Sequence, residues 1–491
     1  MQVLCVAVVL LVPQVAWASS YIAGPAVQVS GTSPFTPGCG TANQTGTNFV
    51  NSEIEPFVDV NPANGDNIVG SWQQDRWSDG GSRGLVAGVS RDNGQSWTLS
   101  PVRGTSQCTG NPLYERASDP WLSFSPNGSL HHVSLSFNMT NNDNAVIVNK
   151  SKDGGLTWSA PKTIIRDTDF TVFNDKESIT ADTNNSKFVY VIWDRLVAPR
   201  GERANIRASQ HAAAFAGPIW FSRSTDGGNT YEKARQIFDP GTLQQTIGNQ
   251  IVTRPQGDLV DIFNLIQNTR DLQMRGFNVS VIRSTDHGAT WSNPIRFDTM
   301  VNPGVTDPDD GDAVRTGDII PDIAVDPRNG NLYAVWQDKR FDDGQHDSIA
   351  LSSSTDGGRT WSPAVKVNKT PTNIPTGNQQ AFTPAVDVAS DGSVAVTYYD
   401  FRNNTAAPDT LPTDYFVVHC DPTSDCSRAG NYGDEIRLTD TSFDMEKAPN
   451  ARGYFIGDYE GLANDGTDFT PFFSQSHGTD PASIFFRRVG P

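Results

Sequence analysis

Short apolar runs separated by turn residues fill this chain, and no long amphipathic helix, coiled coil or low-complexity tract interrupts them. The clearest unit is Pro321-Asp322-Ile323-Ala324-Val325, then Asp326-Pro327-Arg328-Asn329-Gly330, then Leu332-Tyr333-Ala334-Val335-Trp336. This pattern predicts an inner strand, a turn and a second, antiparallel strand. The unit recurs as Pro56 to Val60 with Ile68 to Trp72, and as Pro120 to Phe124 with Leu130 to Phe137. Ser178 to Ala181 with Phe188 to Trp193, and Pro384 to Val388 with Ser393 to Tyr399, repeat it again. Two looser copies pair Ile251 to Thr253 with Leu259 to Ile266, and Phe455 to Leu462 with Phe469 to Phe473, making seven in all.

A second repeat follows five of these pairs. Ser354-Thr355-Asp356-Gly357-Gly358-Arg359-Thr360-Trp361 recurs at Ser284 to Trp291 and Ser151 to Trp158. Ser224 to Tyr231 has Tyr for Trp, and Ser90 to Trp97 has Ser for Thr. In this Ser-x-Asp-x-Gly-x-Thr-Trp form, Asp bonds its own turn, Gly supplies a positive φ, and Trp is expected to fold back over the turn as a plug. Each copy would join the third and fourth strands of a four-stranded unit. The repeat predicts an all-β fold, a seven-bladed β-propeller with six blades as the alternative. Ala26 to Ser30 would supply the last blade's fourth strand and close the ring, and Cys420–Cys426 would close the sixth blade's equivalent hairpin.

Composition adds compartment and partners. Of the 491 residues, 1–18 read as a secretory signal, with an apolar run from Val3 to Val15 before Ala16-Trp17-Ala18, leaving 19–491 as one domain. Four cysteines then remain, and the simplest of their three pairings is Cys39–Cys108 with Cys420–Cys426. Sequons such as Asn43, Asn184 and Asn403 fit an extracellular glycoprotein. The net charge of −18 argues against nucleic acid and anionic membranes, but a local arginine cluster can still bind an acidic small ligand. A monomer is expected.

Propeller geometry places the starts of inner strands and the ends of second strands on one face. Arg76, Arg195, Arg340 and Arg402 end second strands, and Arg116 starts an inner one. Guanidinium groups bind carboxylates bidentately, so these five are candidate substrate clamps, or else each pairs with an Asp nearby. Glu53, Glu55, Asp119, Asp175, Lys176, Glu177, Asp322 and Asp458 map to the same face. His211 lies in an insertion, Leu196 to Pro218, of the kind that forms pocket walls. Tyr459 beside Glu460 offers an acid, base or nucleophile. Asp307, Asp309 and Asp312 have the oxygen density of a calcium loop without the downstream Glu, so a solvated acidic loop is expected and no cofactor is required.

The five Ser-x-Asp-x-Gly-x-Thr-Trp copies resemble the Asp-box (BNR) repeats of the sialidase superfamily. That resemblance implies a propeller and, for sialidases, an arginine triad, a Tyr nucleophile helped by Glu, and an Asp acid. Glu53-Ile54-Glu55-Pro56 stands where the superfamily's first Arg-x-Pro belongs. Seven blades and an arginine-rich rim are also similar to propeller polysaccharide lyases, including fungal rhamnose–glucuronate lyases. This implies metal-independent β-elimination on a uronate-containing glycan, with Arg116, Arg195 and Arg340 as clamps and His211 or Tyr459 as base and acid. The alternatives are an exo-sialidase-like hydrolase using Tyr459 and Glu460, and a non-catalytic glycan-binding propeller.

Overall fold

A computed structural model describes residues 21–198, 216–268, 275–302, 304–342, 344–407 and 409–491. The expected signal segment, 1–18, lies outside them. The chain is all-β, built of several antiparallel sheets. The first run of strands is Glu53–Val60, Ile68–Arg76, Ser82–Ser90 and Thr98–Pro101; the second is Arg116–Phe124, Leu130–Phe137, Asn144–Ser151 and Lys162–Asp167. Val172–Ala181, Val189–Val197, Ile219–Ser224 and Arg235–Phe238 form the third, and Gln245–Thr253, Leu259–Gln267, Gly276–Ser284 and Ile295–Met300 the fourth. Asp322–Val325, Leu332–Asp338, Ser348–Ser354 and Val365–Lys366 follow, then Ala381–Val388, Val394–Asp400, Pro412–Cys420 and Tyr432–Arg437. The last run is Gly461–Asp465, Asp468–His477 and Asp480–Phe486, to which Val27–Gln28 pairs through Val27 opposite Phe486.

The first strand of each run packs beside that of the next, and the first strand of the last run touches Glu53–Val60. Second strands carry the largest wholly buried side chains, Trp72, Trp193 and Trp336. Apolar clusters span neighbouring runs: Val335, Ile349 and Leu351 of the fifth meet Val386, Val396 and Val418 of the sixth. Burial of such area, at about 25 cal/mol per Å², is what holds sheet to sheet.

One expected strand lies elsewhere. Tyr454–Phe455 does not begin the last run's first strand, which is Gly461–Asp465. It pairs in parallel with Ala313–Arg315, in a small sheet completed by Val305–Thr306. The aromatic alternation of 454–455 looks like a core strand in sequence, but its partner comes from a distant loop. The disulfides are Cys39–Cys108 and Cys420–Cys426, the second between the sixth run's third and fourth strands.

The five Asp turns share one hydrogen-bond pattern between third and fourth strands. In the fifth run Ser354 Oγ donates to Asp356 Oδ1 at 2.9 Å, and Gly358 N donates to Ser354 Oγ at 2.8 Å. Thr360 N donates to Oδ1 at 2.9 Å and Thr360 Oγ1 to Oδ2 at 2.7 Å. The same four bonds recur around Asp92, Asp153, Asp226 and Asp286.

The closing aromatic holds its own turn in two copies, where Trp97 and Trp361 donate Nε1 to the Gly94 and Gly358 carbonyls at 3.1 and 3.3 Å, and its ring also packs on the preceding sheet. Trp361 stacks on Phe297 at 4.0 Å, Trp291 meets Phe221 edge-on at 5.5 Å, and Trp97 meets Phe486 at 5.1 Å. Trp158 joins Val69, Leu85 and Val89 of the first run, and Tyr231 joins Val133 and Val148 of the second. The reason is space: the box glycine already abuts that sheet, so a Cβ on Gly288 would meet Phe221 at 2.6 Å. Lys150 and Arg223 extend the clasp forward, donating to the Gly227 and His287 carbonyls of the next run's turn.

Two predictions follow from the clasp. Trp361→Ala should lower the unfolding free energy by about 3 kcal/mol in urea denaturation, as for other large-to-small aromatic truncations; an unchanged midpoint would contradict inter-sheet packing. The box carboxylates also predict an acid limit. Asp226 is held at about 2 by the Thr230 amide and hydroxyl, and Asp286 at about 2 by the Thr290 hydroxyl and amide. At Asp356 burial opposes the shift, but the Thr360 bonds outweigh it and hold the group at about 2. These folded values lie below the unfolded one, near 3.9, so the contribution is present above about pH 4 and is lost as pH falls toward about 2. A variant with Asn at all three positions should therefore converge on the wild type in thermal unfolding across that window; a gap of constant size would contradict the assignment.

Candidate functional site

First strands carry a bulge near their start. Register slips between Ile54 and Phe57, Ser118 and Trp121, Asp175 and Ser178, Ile247 and Gln250, and Phe382 and Ala385. A residue inside each slip has a positive φ: Glu55 at 50°, Asp119 at 50°, Lys176 at 48°, Gly248 at 76° and Thr383 at 48°. Only one is glycine. Holding non-glycine residues there costs about 1–3 kcal/mol each, and such strain collects where side chains are re-aimed for function. Glu55, Asp119 and Thr383 each precede a proline, which disfavours the helical alternative.

The bulges bring charges from separate sheets together. Lys176 Nζ lies 3.1 Å from Glu55 Oε1, 3.1 Å from Asp119 Oδ1 and 2.8 Å from Asp458 Oδ2. Arg315 adds a second cation, its Nε 3.0 Å from Asp458 Oδ1, and its guanidinium lies over the Phe455 ring at 4.0 Å. The Gln73 amide donates to Glu55 Oε2. Burial alone would lower the ammonium of Lys176, but Asp119, Asp458 and Glu55 outweigh it and hold the group charged, well above its usual range. Burial would raise Asp458, yet Arg315 and Lys176 hold it well below the carboxylate range. Glu55 is raised to about 7 by burial, which Lys176 only partly offsets.

Glu177 behaves differently. Its carboxyl is buried, and neither oxygen has a hydrogen-bond partner in the protein. Burial first, then Asp119, pushes it well above the carboxylate range. Tyr459 completes the group. Its hydroxyl donates to the Pro120 carbonyl at 3.2 Å, its ring lies 5.4 Å from Lys176 Nζ, and burial with Glu55 and Asp119 holds its proton on. Asp119, Lys176, Glu177, Asp458 and Tyr459 line one end of a cavity of about 710 Å³. Its other end is lined by turns between first and second strands, including Asn61, Asn184 and Asp465.

The expected arginine clamps are not brought together. Arg116 donates to Asp79 at 2.7 Å and lies over Trp77. Arg195 pairs with Asp167 and stacks on Trp220. Arg340 pairs with Asp338, two residues back, and with Asp298. Arg402 pairs with Asp400, also two residues back, and with Glu435. Arg76 is buried at the edge of the charged group, donating to Gln73 Oε1 at 2.7 Å. Glu460 turns away from Tyr459, accepting from the Ser474 amide at 3.0 Å. His211 lies outside the described residues. Asp307 and Asp310 accept the loop's own amides, from Asp309 and Asp312.

Arg315 was missed because its segment carries no repeat. Glu55, Asp119, Lys176, Glu177 and Asp458 map to the expected face, but their convergence had one sequence signal only, the residue before each strand-start proline.

No protein-family model matches the chain, and no curated protein matches it in sequence. Solved structures align with it at low identity. A protein of unknown function from Dyadobacter fermentans is 14% identical, with a TM-score of 0.48 over 76% of this chain and 94% of that one. A Hadza microbial sialidase is 15% identical, with a TM-score of 0.47 over 87% of this chain and 74% of that one. An α-L-arabinofuranosidase from Fusarium graminearum is 12% identical, with a TM-score of 0.44 over 71% of this chain and 88% of that one.

Lys176→Met should destabilise the fold by about 3–5 kcal/mol, since it strips a cation from buried carboxylates. Those carboxyls would then hold protons more tightly folded than unfolded. The loss should therefore grow as pH rises from about 5 to about 8 in chemical denaturation; a loss independent of pH would contradict the cluster's electrostatics.

Proposed function

We propose that the chain is a glycoside hydrolase whose general acid is Glu177, on a closed seven-bladed β-propeller of residues 19–491. The ring is supported by first strands that neighbour one another in chain order and from last to first, and by the pairing of Val27–Gln28 with the final run. Two disulfides support an exported protein. Among the described residues no helix is long and apolar enough to cross a membrane.

One observation carries the chemistry: a buried carboxyl with no hydrogen-bond partner on either oxygen, pushed up by burial, beside ion-paired carboxylates at a cavity end. Two carboxyls whose environments push their proton affinities apart are the working parts of glycoside hydrolysis. Glu177 gives its proton to the leaving glycosidic oxygen as the bond to the anomeric carbon breaks. Asp119, oriented by Lys176, accepts a proton from the attacking water, whose oxygen joins the anomeric carbon. Loss of the Asp119 proton and regain of one by Glu177 restore the site. Tyr459, whose hydroxyl proton is given to the Pro120 carbonyl, presents its phenolic oxygen as an acceptor to a sugar hydroxyl.

Elimination from a uronate needs a cation over the sugar's carboxylate. Lys176 faces three carboxylates already, and Arg116, Arg195, Arg340 and Arg402 are each engaged by an acidic partner. Hydrolysis therefore fits the geometry better than the lyase chemistry that the rim arginines suggested.

Glu177→Gln is expected to lower kcat about 10²- to 10⁴-fold on aryl and natural glycosides, and to remove the alkaline limb of the pH–rate profile. Absorbance near 235 nm on uronate glycans, the signature of an unsaturated product, should stay flat. A rise there, or full activity in Glu177→Gln, would contradict the assignment.

A further inference from the structure

Beyond the charged end, the cavity wall changes character. Phe57 and Trp121 stack at 3.7 Å, and Tyr459 lies 5.3 Å from Trp121, so one side is aromatic. The rest of the wall is largely aliphatic, with Leu122, Ile251 and Val386 among its residues, and hydrogen-bonding groups are set into it: Asp59, Thr180, Gln250, Asp322, Asp387 and Asn464, all part-exposed. Three of these carboxyls are fixed by a neighbouring strand. Asp59 Oδ2 accepts the Phe124 amide, Asp322 Oδ2 the Val386 amide, and Asp387 Oδ2 the Asn464 side chain, each at 2.7 Å. Burial raises Asp59 and Asp387 to about 7 and Asp322 to about 6. Among the described residues lining the cavity, Lys176 is the sole cation, and it already faces three carboxylates.

We propose that this cavity is the sugar subsite and that it takes an uncharged sugar unit, excluding uronates and sialic acid. This deepens the hydrolase assignment and rests on it for the sugar's role. An aromatic wall covers the apolar face of a ring, while fixed carboxyls, an amide and a hydroxyl meet its hydroxyl groups. At the same time a sugar carboxylate would face like charge in a low-dielectric cavity with no cation left to receive it. At about 710 Å³ the cavity lies within the range of small-ligand sites. Glu177 is among the residues lining the same cavity, with both carboxyl oxygens buried.

The test is a titration of tryptophan fluorescence, checked by calorimetry. The full chain is titrated with L-arabinose, D-galactose, L-rhamnose and D-xylose, against D-glucuronate and N-acetylneuraminate. At least one neutral sugar should bind saturably, and both acidic sugars should bind at least about tenfold more weakly, a difference of about 1.4 kcal/mol. Asp322→Asn should weaken the neutral sugar about tenfold, with Asp387→Asn as the second variant; thermal unfolding should show that each is folded. Tighter binding of either acidic sugar would overturn the proposal. So would the absence of any sugar binding at tens of millimolar, or binding unchanged in both variants. Saturable neutral-sugar binding in a protein that hydrolyses no glycan would leave the subsite standing and remove the hydrolase assignment instead.

Discussion

Lys176 ties together parts of the chain that are far apart in sequence. Its ammonium meets a carboxylate from the first run of strands, one from the second, and one just ahead of the last, while the lysine itself stands on the third. A buried charge survives only if it is met by partners with good geometry, and here Glu55 and Asp119, like Lys176 itself, arrive through positive-φ bulges in separate strands, while Asp458 comes from the segment ahead of the last run. The strain of those bulges and the ion pairing support each other. Without the bulges the carboxylates would not converge, and without the cation the convergence would be repulsive. The raised proton affinity of Glu177 depends on the same group, since burial and the neighbouring Asp119 both push it up.

Stability and chemistry are kept apart along each sheet. The Asp turns lie between third and fourth strands, where hydroxyls and amides saturate each carboxylate and the aromatic ring reaches the preceding sheet. The bulges lie at the starts of first strands. A carboxylate whose two oxygens are both engaged by its own turn has little left to offer a substrate, whereas neither oxygen of Glu177 is held by another residue. The two kinds of acid are the same functional group put to opposite uses by hydrogen-bond supply.

Much of the fold was legible because its determinants are local. Strand pairs and Asp turns are written in consecutive residues, and Ala26 to Ser30 was readable as a strand wanting a partner. Tyr454–Phe455 was misplaced because its alternation fits any sheet, and its partner, Ala313–Arg315, has no signature. The site was legible as a face but not as a constellation. Arginines drew attention by their residue type, yet Arg340 and Arg402 are engaged by aspartates two residues away, a local pairing that sequence spacing allows but does not decide. Glu177 was one acid among many, because its distinction is a missing partner at the cavity wall, shared in part by Asp261, which lacks partners but does not line the cavity, and a missing partner has no trace in sequence.

The state of the Glu177 carboxyl is the central claim, and it is measurable without a substrate. Carbon-13 NMR of protein labelled at the glutamate carboxyls, compared with Glu177→Gln, isolates the resonance of that one group. The account predicts a carboxyl that is still protonated at pH 7 and titrates above it. A resonance already ionised at pH 5 would contradict it, and would leave the cavity without an acid.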